Sequence, residues 1–330
     1  MSTGTLLEID NLAVEFATER GALRAVAGVN LSVGAGCALG IVGESGSGKT
    51  VLSRAVLKLL PSNARVSGAV RFDGRELFRL PREAFRQLRG REIAAVFQNP
   101  MTSLNPVLTV GGQIAEALHE HLGLGRHEAA ARATTLLYQL GIPDPERRAR
   151  HYPHQMSGGM RQRVAIAIAL SCAPRLLIAD EPTTALDVTV QAQILELLAR
   201  ERRARGMAVV LITHDLAVVA GRTDEVAVMY AGHIVERAPT RTLFKHMRSP
   251  YTRALMAAIP KLSAPPHTRL AAIAGTPPDP IRLAPGCPFE PRCGYARERC
   301  RSEAPTLAST PEGHQYECWF PLDTQVPASV

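Results

Sequence analysis

Short apolar runs alternate along the chain with stretches of helical periodicity, a pattern typical of an α/β protein built on a parallel sheet. Residues 6–36 predict paired strands broken at Arg20-Gly21-Ala22, and strand–helix alternation returns over residues 172–236. Further strands are predicted at Cys37–Val42, Val66–Phe72, Ile93–Phe97, Arg175–Asp180 and Val209–Thr213, and helices from Val110 to about Arg150 and over Val164–Leu170.

A glycine-rich turn follows the first buried strand and fits the pattern G-x-x-x-x-G-K-[ST]. A helix is predicted after it over Val51–Leu60, ended by Pro61. In this strand–turn–helix context, backbone N–H groups and the helix N-terminus bind phosphate, the lysine reaches the β- and γ-phosphates, and the threonine hydroxyl binds Mg²⁺. The predicted ATP-binding residues of this turn are Gly43, Glu44, Ser45, Gly46, Ser47, Gly48, Lys49 and Thr50.

Two adjacent carboxylates end the apolar run that begins at Arg175. Central strands of this kind deliver acidic groups to metal–phosphate sites, so Asp180 is predicted to hold Mg²⁺ through water. Glu181 is predicted to polarise the water that attacks the γ-phosphate. Taken alone, the segment is equally compatible with a plain strand followed by a polar turn; the glycine-rich turn favours the catalytic interpretation.

A second anion-binding sequence, Ser157-Gly158-Gly159, opens the helix that contains Val164–Leu170. Its hydroxyl and N–H groups lie at the positive end of a helix, where phosphate is favoured. One chain with two phosphate-binding segments but a single phosphate-loop lysine indicates a nucleotide shared between two chains.

At this point the chain resembles the ATP-binding cassette (ABC) family, whose signature is Leu-Ser-Gly-Gly-Gln where this chain has Met-Ser-Gly-Gly-Met. The resemblance implies that the signature of one subunit closes over ATP held by its partner's phosphate loop. It also implies a RecA-like parallel-sheet core, an antiparallel β subdomain and a helical subdomain at about residues 100–160 that contacts the membrane subunit. The remaining family positions are Phe16 (adenine stacking), Gln98 (Q-loop, also near Mg²⁺), Asp187 in Ala185-Leu186-Asp187 (D-loop) and His214 (switch histidine).

Composition and charge fit an ATPase that works beside a membrane. The chain has 330 residues, 46% of them hydrophobic, and carries a net charge of +8. No stretch approaches the ~20 apolar residues that cross a bilayer, and the N-terminus lacks a signal-peptide pattern, so a cytosolic protein is expected. The arginine clusters are interspersed with glutamates and lack aromatic stacking partners, which argues against nucleic acid.

The composition changes at Pro260, and nine prolines lie from Pro260 to Pro291, both included. We therefore predict an ABC domain over residues 1–259 and an irregular C-terminal extension over 260–330. Four cysteines of the extension, in a cytosolic chain, favour metal binding over disulfides, but their spacing does not choose between zinc and an iron–sulfur cluster. They are Cys287, Cys293, Cys300 and Cys318.

Several segments sharpen the resemblance to the ATPase subunits of oligopeptide and dipeptide importers. They are Phe97–Pro106, Tyr152–Ser157, Ser249–Thr252, Gly286–Cys293 and Arg299-Cys300. The resemblance implies import driven by ATP and Mg²⁺ at the cytoplasmic face of the membrane. It also implies a second ATPase subunit, identical or paralogous, two membrane permeases, an extracytoplasmic peptide-binding protein and, as in some members, a [4Fe-4S] cluster on the tail cysteines.

Three alternatives remain at this stage. Nickel or other small-solute importers use similar ATPases, so the cargo is less defined than the ATPase itself. A cassette ATPase acting on nucleic acid is disfavoured by the single cassette and by the arginine pattern. A scaffold that binds ATP without hydrolysing it is disfavoured by Glu181 and His214.

Overall fold

The computed structural model describes residues 4–98, 103–184, 186–259 and 272–322. Contacts divide the chain into two compact units. The first comprises Met1–Leu6, Val33–Cys37 and Arg79–Ile212, and the second Leu7–Ser32, Ala38–Phe78 and Thr213–Val330. The predicted extension begins inside the segment 260–271, which lies outside the described residues, so the division into 1–259 and 260–330 stays a prediction.

Twelve strands and eleven α-helices are assigned within the described residues. The strands are β1 Thr5–Thr18, β2 Gly21–Gly34, β3 Ala38–Val42, β4 Ala64–Phe72, β5 Arg75–Glu76, β6 Ile93–Val96, β7 Leu176–Asp180, β8 Ala208–Thr213, β9 Glu225–Tyr230, β10 His233–Pro239, β11 Leu307–Ser309 and β12 Gln315–Glu317. The helices are α1 Lys49–Val56, α2 Arg82–Leu88, α3 Val110–Leu122, α4 Arg126–Gln139, α5 Pro145–Arg148, α6 Gly158–Leu170, α7 Val188–Arg205, α8 Leu216–Val219, α9 Thr240–Lys245, α10 Pro250–Ala257 and α11 Glu298–Ser302.

The first unit contains the predicted parallel strands. β7 pairs in parallel with β6 on one side and with β8 on the other, with Ile93 opposite Leu176 and Asp180 opposite Ile212. All five residues of β7 are buried, as expected of a central strand covered on both faces. Helix α6 packs against β6. The strand that ends in Asp180 is therefore an interior strand held on both edges.

The helical stretch predicted from Val110 to about Arg150 forms α3, α4 and α5 in the same unit. The Thr109 side chain caps α3 by accepting a hydrogen bond from the Gly112 N–H, and Gly123 ends the helix in the left-handed conformation. α3 packs against α4 through fully buried apolar residues. Helical periodicity predicted this part of the chain correctly.

The second unit contains two sheets. Strands β2-β1-β4-β5 form an antiparallel sheet, and β1 has a bulge between Asp10 and Ala13. In the other sheet β3 pairs in parallel with β9, and β9 pairs antiparallel with β10. The C-terminal hairpin β11–β12 extends this sheet, since β12 pairs with β10. The extension thus contributes two strands to a sheet that also contains β3, the strand before the phosphate loop.

Two predicted boundaries differ from the structure. Helix α1 begins at Lys49 and ends at Val56, whereas the sequence predicted Val51–Leu60. Lys58 takes a left-handed backbone conformation, with φ of 52°, and this ends the helix before Pro61. Cys37 precedes β3, is half-buried, and is not the fully buried strand residue expected from its apolar neighbours.

A buried hydrogen bond attaches the C-terminal hairpin to β10. His314 Nε2 lies 2.7 Å from Glu236 Oε1, and the two side chains are 3% and 0% exposed. The same carboxylate accepts hydrogen bonds from the backbone N–H groups of Arg248 (2.6 Å) and Ser249 (3.1 Å). Because a buried carboxylate requires such partners, Glu236 fixes the hairpin and the start of α10 together.

Replacing Glu236 with leucine removes the acceptor from three buried donors at once. We expect the free energy of unfolding to fall by about 3 kcal/mol, because each orphaned donor loses its partner without regaining water. Urea denaturation of the full chain measures the change. Glu303→Leu is the matched control, since that carboxylate pairs with Arg299 at the surface. An unfolding midpoint as little shifted in Glu236→Leu as in the control would contradict the anchoring role.

Candidate nucleotide-binding site

The phosphate loop lies between β3 and α1, as predicted. The Lys49 side chain is almost fully buried and folds back into the loop. Its Nζ atom donates to the carbonyl oxygens of Gly43 and Glu44 at 2.8 Å each and to Ser47 Oγ at 3.3 Å. Ser45 and Gly46, at the tip of the loop, are exposed. The lysine therefore links several groups of the loop to one another.

Two glycines of the loop are required by close backbone approaches. A Cβ atom at Gly43 would collide with the carbonyl oxygen of Met229 at the end of β9. A Cβ atom at Gly48 would collide with the carbonyl oxygen of Ala25, and Gly48 has φ of 105°, which favours glycine. The loop is thus pressed against β2 and β9, with the N-terminus of α1 available to phosphate.

Residues far along the chain also hold the loop, and sequence reasoning did not identify them. The Glu44 N–H donates to the Tyr251 hydroxyl at 2.9 Å. The Arg292 guanidinium makes two bonds to the Glu44 carboxylate, at 2.6 and 2.9 Å. Arg292 lies 248 positions from Glu44, and no local pattern links them. The C-terminal extension therefore contacts the phosphate loop directly.

The first unit brings together the predicted acid and amide groups at the end of β7. Asp180 is buried, and Glu181 follows it with a left-handed backbone, φ of 48°. Gln98 Nε2 donates to Glu181 Oε2 at 2.9 Å, and the Thr184 hydroxyl donates to the same oxygen at 2.8 Å. A non-glycine residue in this conformation is uncommon and costs about 1–3 kcal/mol, which is typical of functional positions.

The signature and D-loop residues lie against each other in the same unit. Ser157 caps α6 by accepting from the Met160 N–H at 3.3 Å, and Asp187 caps α7 by accepting from the Val190 N–H at 3.0 Å. A Cβ atom at Gly159 would lie 2.7 Å from Val190 Cγ1. A Cβ atom at Gly158 would lie 3.6 Å from Leu186 Cδ2, an ordinary contact. The second anion-binding helix start is therefore fixed by direct packing on the D-loop.

The two remaining predicted residues belong to the second unit. Phe16 lies in β1 opposite Ala64 of β4 and is half-buried. His214 follows β8 and is exposed, between Thr213 and Asp215. The Thr213 hydroxyl accepts a hydrogen bond from the Asp215 N–H at 3.1 Å, which fixes the turn at this point. Residues 99–102 of the predicted Q-loop turn and Ala185 of the D-loop lie outside the described residues.

A buried lysine in a glycine-rich loop, a strand delivering adjacent carboxylates and a capped Ser-Gly-Gly helix start define a phosphate-loop ATPase of the cassette type. The model of the ABC transporter family matches residues 26–184. The model of the oligopeptide/dipeptide transporter C-terminal region matches residues 235–300. The chain belongs to the ABC transporter family of ATP-binding proteins, which confirms the resemblance and the activity expected from it, ATP hydrolysis coupled to transport.

Close relatives cover nearly the whole chain. The dipeptide transport ATP-binding protein DppD of Escherichia coli is 49% identical over 96% of this chain and 97% of its own length. The oligopeptide transport ATP-binding protein OppD of Haemophilus influenzae is 47% identical over the same shares. A dimeric ATP-binding cassette solved in a post-hydrolysis state with ADP and Pi has a TM-score of 0.64, 29% identity, and covers 72% of this chain and 99% of its own. The predicted α/β cassette fold is confirmed.

The four tail cysteines line one pocket, together with Tyr230, Tyr251 and Phe289. Burial, with a smaller contribution from the neighbouring thiols, raises the pKa of three of these thiols to about 11. Across the described ranges no three His, Cys, Asp or Glu side chains are arranged so that they could hold a metal ion. The thiols thus share a cavity without forming a closed ligand shell. The three with raised pKa are Cys287, Cys293 and Cys318.

No helix in the described part of the chain is long and apolar enough to cross a membrane.

Gly43→Ala should weaken nucleotide binding at least about tenfold. The added methyl group forces the loop away from β9, and the loop N–H groups then no longer converge on the phosphates. Titration with a fluorescent ATP analogue measures the dissociation constant. Gly125→Ala is the control, since a Cβ atom there meets nothing within 4 Å. Unchanged affinity in Gly43→Ala would show that the loop does not bind the phosphates in this geometry.

Proposed function

We propose that this chain is the ATP-hydrolysing subunit that energises import of dipeptides or oligopeptides across the cytoplasmic membrane. The observation that carries the proposal is similarity over almost the full length to dipeptide and oligopeptide transport ATP-binding proteins. The match to the C-terminal region of such transporters supports it, because that region is additional to the cassette. The subunit works as a peripheral protein at the cytoplasmic face.

ATP binds first to the phosphate loop. Lys49 exchanges its bonds to loop carbonyls for the β- and γ-phosphates, and Phe16 stacks on adenine. Oxygen donors are the ligands that Mg²⁺ prefers, and the residues available to it are Thr50, Asp180 and Gln98. Bound Mg²⁺ supplies neutralisation of the developing phosphate charge.

Hydrolysis depends on the carboxylate of Glu181. The Gln98 amide and the Thr184 hydroxyl, both bonded to Glu181 Oε2, orient this carboxylate toward the attacking water. His214 contacts the γ-phosphate from the end of β8. The protein forms no covalent bond to the phosphate, because phosphoryl transfer is accelerated mainly by positioning the reacting groups and by neutralising the developing charge.

Closure requires a second ATPase subunit, identical or paralogous. Ser157, Gly158 and Gly159 offer the start of α6 to ATP on that partner, and Asp187 holds the adjacent D-loop. The helical segment at about 100–160 contacts two membrane permeases and transmits closure to them. An extracytoplasmic binding protein delivers the peptide, so the chain supplies energy while its partners select the cargo.

The proposal is tested by peptide uptake in proteoliposomes that contain the full chain, its ATPase partner and the permeases, with peptide-binding protein added. Wild type should take up labelled dipeptide or oligopeptide only with ATP. Glu181→Gln should bind ATP normally but lose about two to four orders of magnitude in turnover, because the general base is removed. Glu196→Gln, an exposed glutamate of α7, is the control.

Two outcomes would contradict this function. Turnover of Glu181→Gln within about twofold of wild type would remove Glu181 from the catalytic role, since loss of a general base costs far more. ATP-dependent uptake of nickel or another solute, without uptake of peptide, would agree with the proposed ATPase role but contradict peptide as the transported solute.

The proposal includes a [4Fe-4S] cluster on the tail cysteines, with Zn²⁺ as the alternative. Four thiols in one pocket are the complete ligand set of either group. Burial raises the pKa of these thiols to about 11 because it disfavours the thiolate charge. A bound metal would hold them as thiolates, and its positive charge would offset that cost. The group's role would be structural, holding together the segments of the extension that carry the four ligands.

Anaerobic purification followed by iron, acid-labile sulfide and zinc analysis tests this site. We expect about four iron and four sulfide per chain for one cubane cluster, and loss of both in Cys293→Ser because one of four ligands is removed. Cys172→Ser, a buried cysteine outside the pocket, should retain the iron. Stoichiometric zinc without iron would show that the site binds zinc and not the cluster. Absence of all metal would show that the cysteines form no metal site.

A further inference from the structure

The Arg292 side chain lies in the interior, although it belongs to the irregular extension. It is only 3% exposed and forms a two-bond ion pair with Glu44, the second residue of the phosphate loop. Arg292 Nε donates to the Ala274 carbonyl at 2.9 Å, and a terminal nitrogen lies 3.3 Å from the Tyr230 hydroxyl. The hydrogen bond to Glu44 raises the pKa of Arg292. A buried guanidinium with partners on several sides has one defined position.

Glu44 is held through three different groups. Its carboxylate binds Arg292, its N–H donates to the Tyr251 hydroxyl, and its carbonyl oxygen accepts from Lys49 Nζ. Burial raises the pKa of Tyr251, so the hydroxyl stays protonated. The lysine that must reach the phosphates therefore rests on a residue whose other two anchors lie outside the loop.

One of these anchors, Tyr251, also forms part of the wall of the cysteine pocket. The rings of Tyr230 and Tyr251 lie 4.4 Å apart, and Phe289 packs on them at 5.4 and 5.2 Å. All three line the pocket with the four cysteines, and Arg292 immediately precedes Cys293. One packed group thus joins the cysteine-bearing segment to the phosphate loop.

We propose that Arg292 is a positioning residue of the nucleotide site, through which the cysteine-bearing extension sets the affinity for ATP. Arg292 does this in two ways. It fixes Glu44, and hence the carbonyl on which Lys49 rests, and it neutralises a carboxylate that would otherwise repel the triphosphate within the same loop. The inference rests on nucleotide binding at the phosphate loop alone and not on the identity of the transported solute.

The two effects predict a distinctive double-mutant pattern. Arg292→Ala should raise the dissociation constant for ATP about tenfold, the size of one charge-assisted bidentate contact. Adding Glu44→Gln to Arg292→Ala should recover part of the lost affinity, because the unpaired carboxylate is then gone. A residue that merely stabilises the fold would show no such recovery.

Arg301→Ala is the matched control, since Arg301 is an exposed arginine of the same extension that pairs with Glu290 and not with the loop. Its ATP affinity should equal that of wild type. The turnover number at saturating ATP should change less than about threefold in Arg292→Ala, because Glu181 and its partners are untouched. Nucleotide titration of the full chain gives the affinity, and steady-state ATPase assays of the chain together with its ATPase partner give the turnover number.

Arg292→Lys provides the test if Arg292→Ala does not fold. Lysine keeps the charge but loses the two-bond geometry, so affinity should fall by about threefold, between wild type and the alanine variant. The proposal is overturned if neither replacement changes ATP affinity beyond about twofold, if Arg301→Ala loses as much, or if Glu44→Gln recovers nothing. Failure of peptide uptake would leave these measurements valid, since they use ATP alone.

Discussion

The buried Lys49 ammonium, held by the Gly43 and Glu44 carbonyl oxygens, is the interaction on which the nucleotide site depends. A loop that must enclose phosphates cannot carry bulky side chains at its close approaches, so its shape comes from the structure around it. Here Glu44 is anchored by Tyr251, whose helix is capped by Ser249, and the Ser249 backbone N–H in turn donates to buried Glu236. Contacts from the C-terminal part of the chain therefore fix the position of the loop.

Much of the fold was predictable because its elements follow local rules. Three features follow from residues that are close in sequence: the full burial of β7, the helical periodicity over α3–α5 and the glycine at the end of α3. The early end of α1 was not, because the left-handed backbone at Lys58 has no glycine or asparagine to indicate it. The hairpin β11–β12 was also not predicted. Its strands have three residues each, and β12 pairs with β10, a strand that is distant in sequence.

The chemistry of the site was predictable to the extent that phosphate binding imposes fixed spacing. Lys49, Glu181 and the Ser-Gly-Gly start of α6 were predicted in this way and stay predictions, and Gln98 lies within hydrogen-bond distance of Glu181. The Arg292–Glu44 pair could not be found, because a single arginine among many carries no signal across 248 positions. Periodicity describes elements, whereas a tertiary ion pair between loops depends on how those elements assemble.

Hydrogen exchange of the wild-type chain with and without ATP and Mg²⁺ tests most directly whether the extension and the phosphate loop act as one unit. If Arg292, Tyr251 and Glu44 hold them together, nucleotide should slow exchange in the loop Gly43–Thr50 and, in parallel, in the segment Gly286–Arg301. Protection that rises in the loop while the cysteine-bearing segment exchanges at an unchanged rate would contradict the coupling.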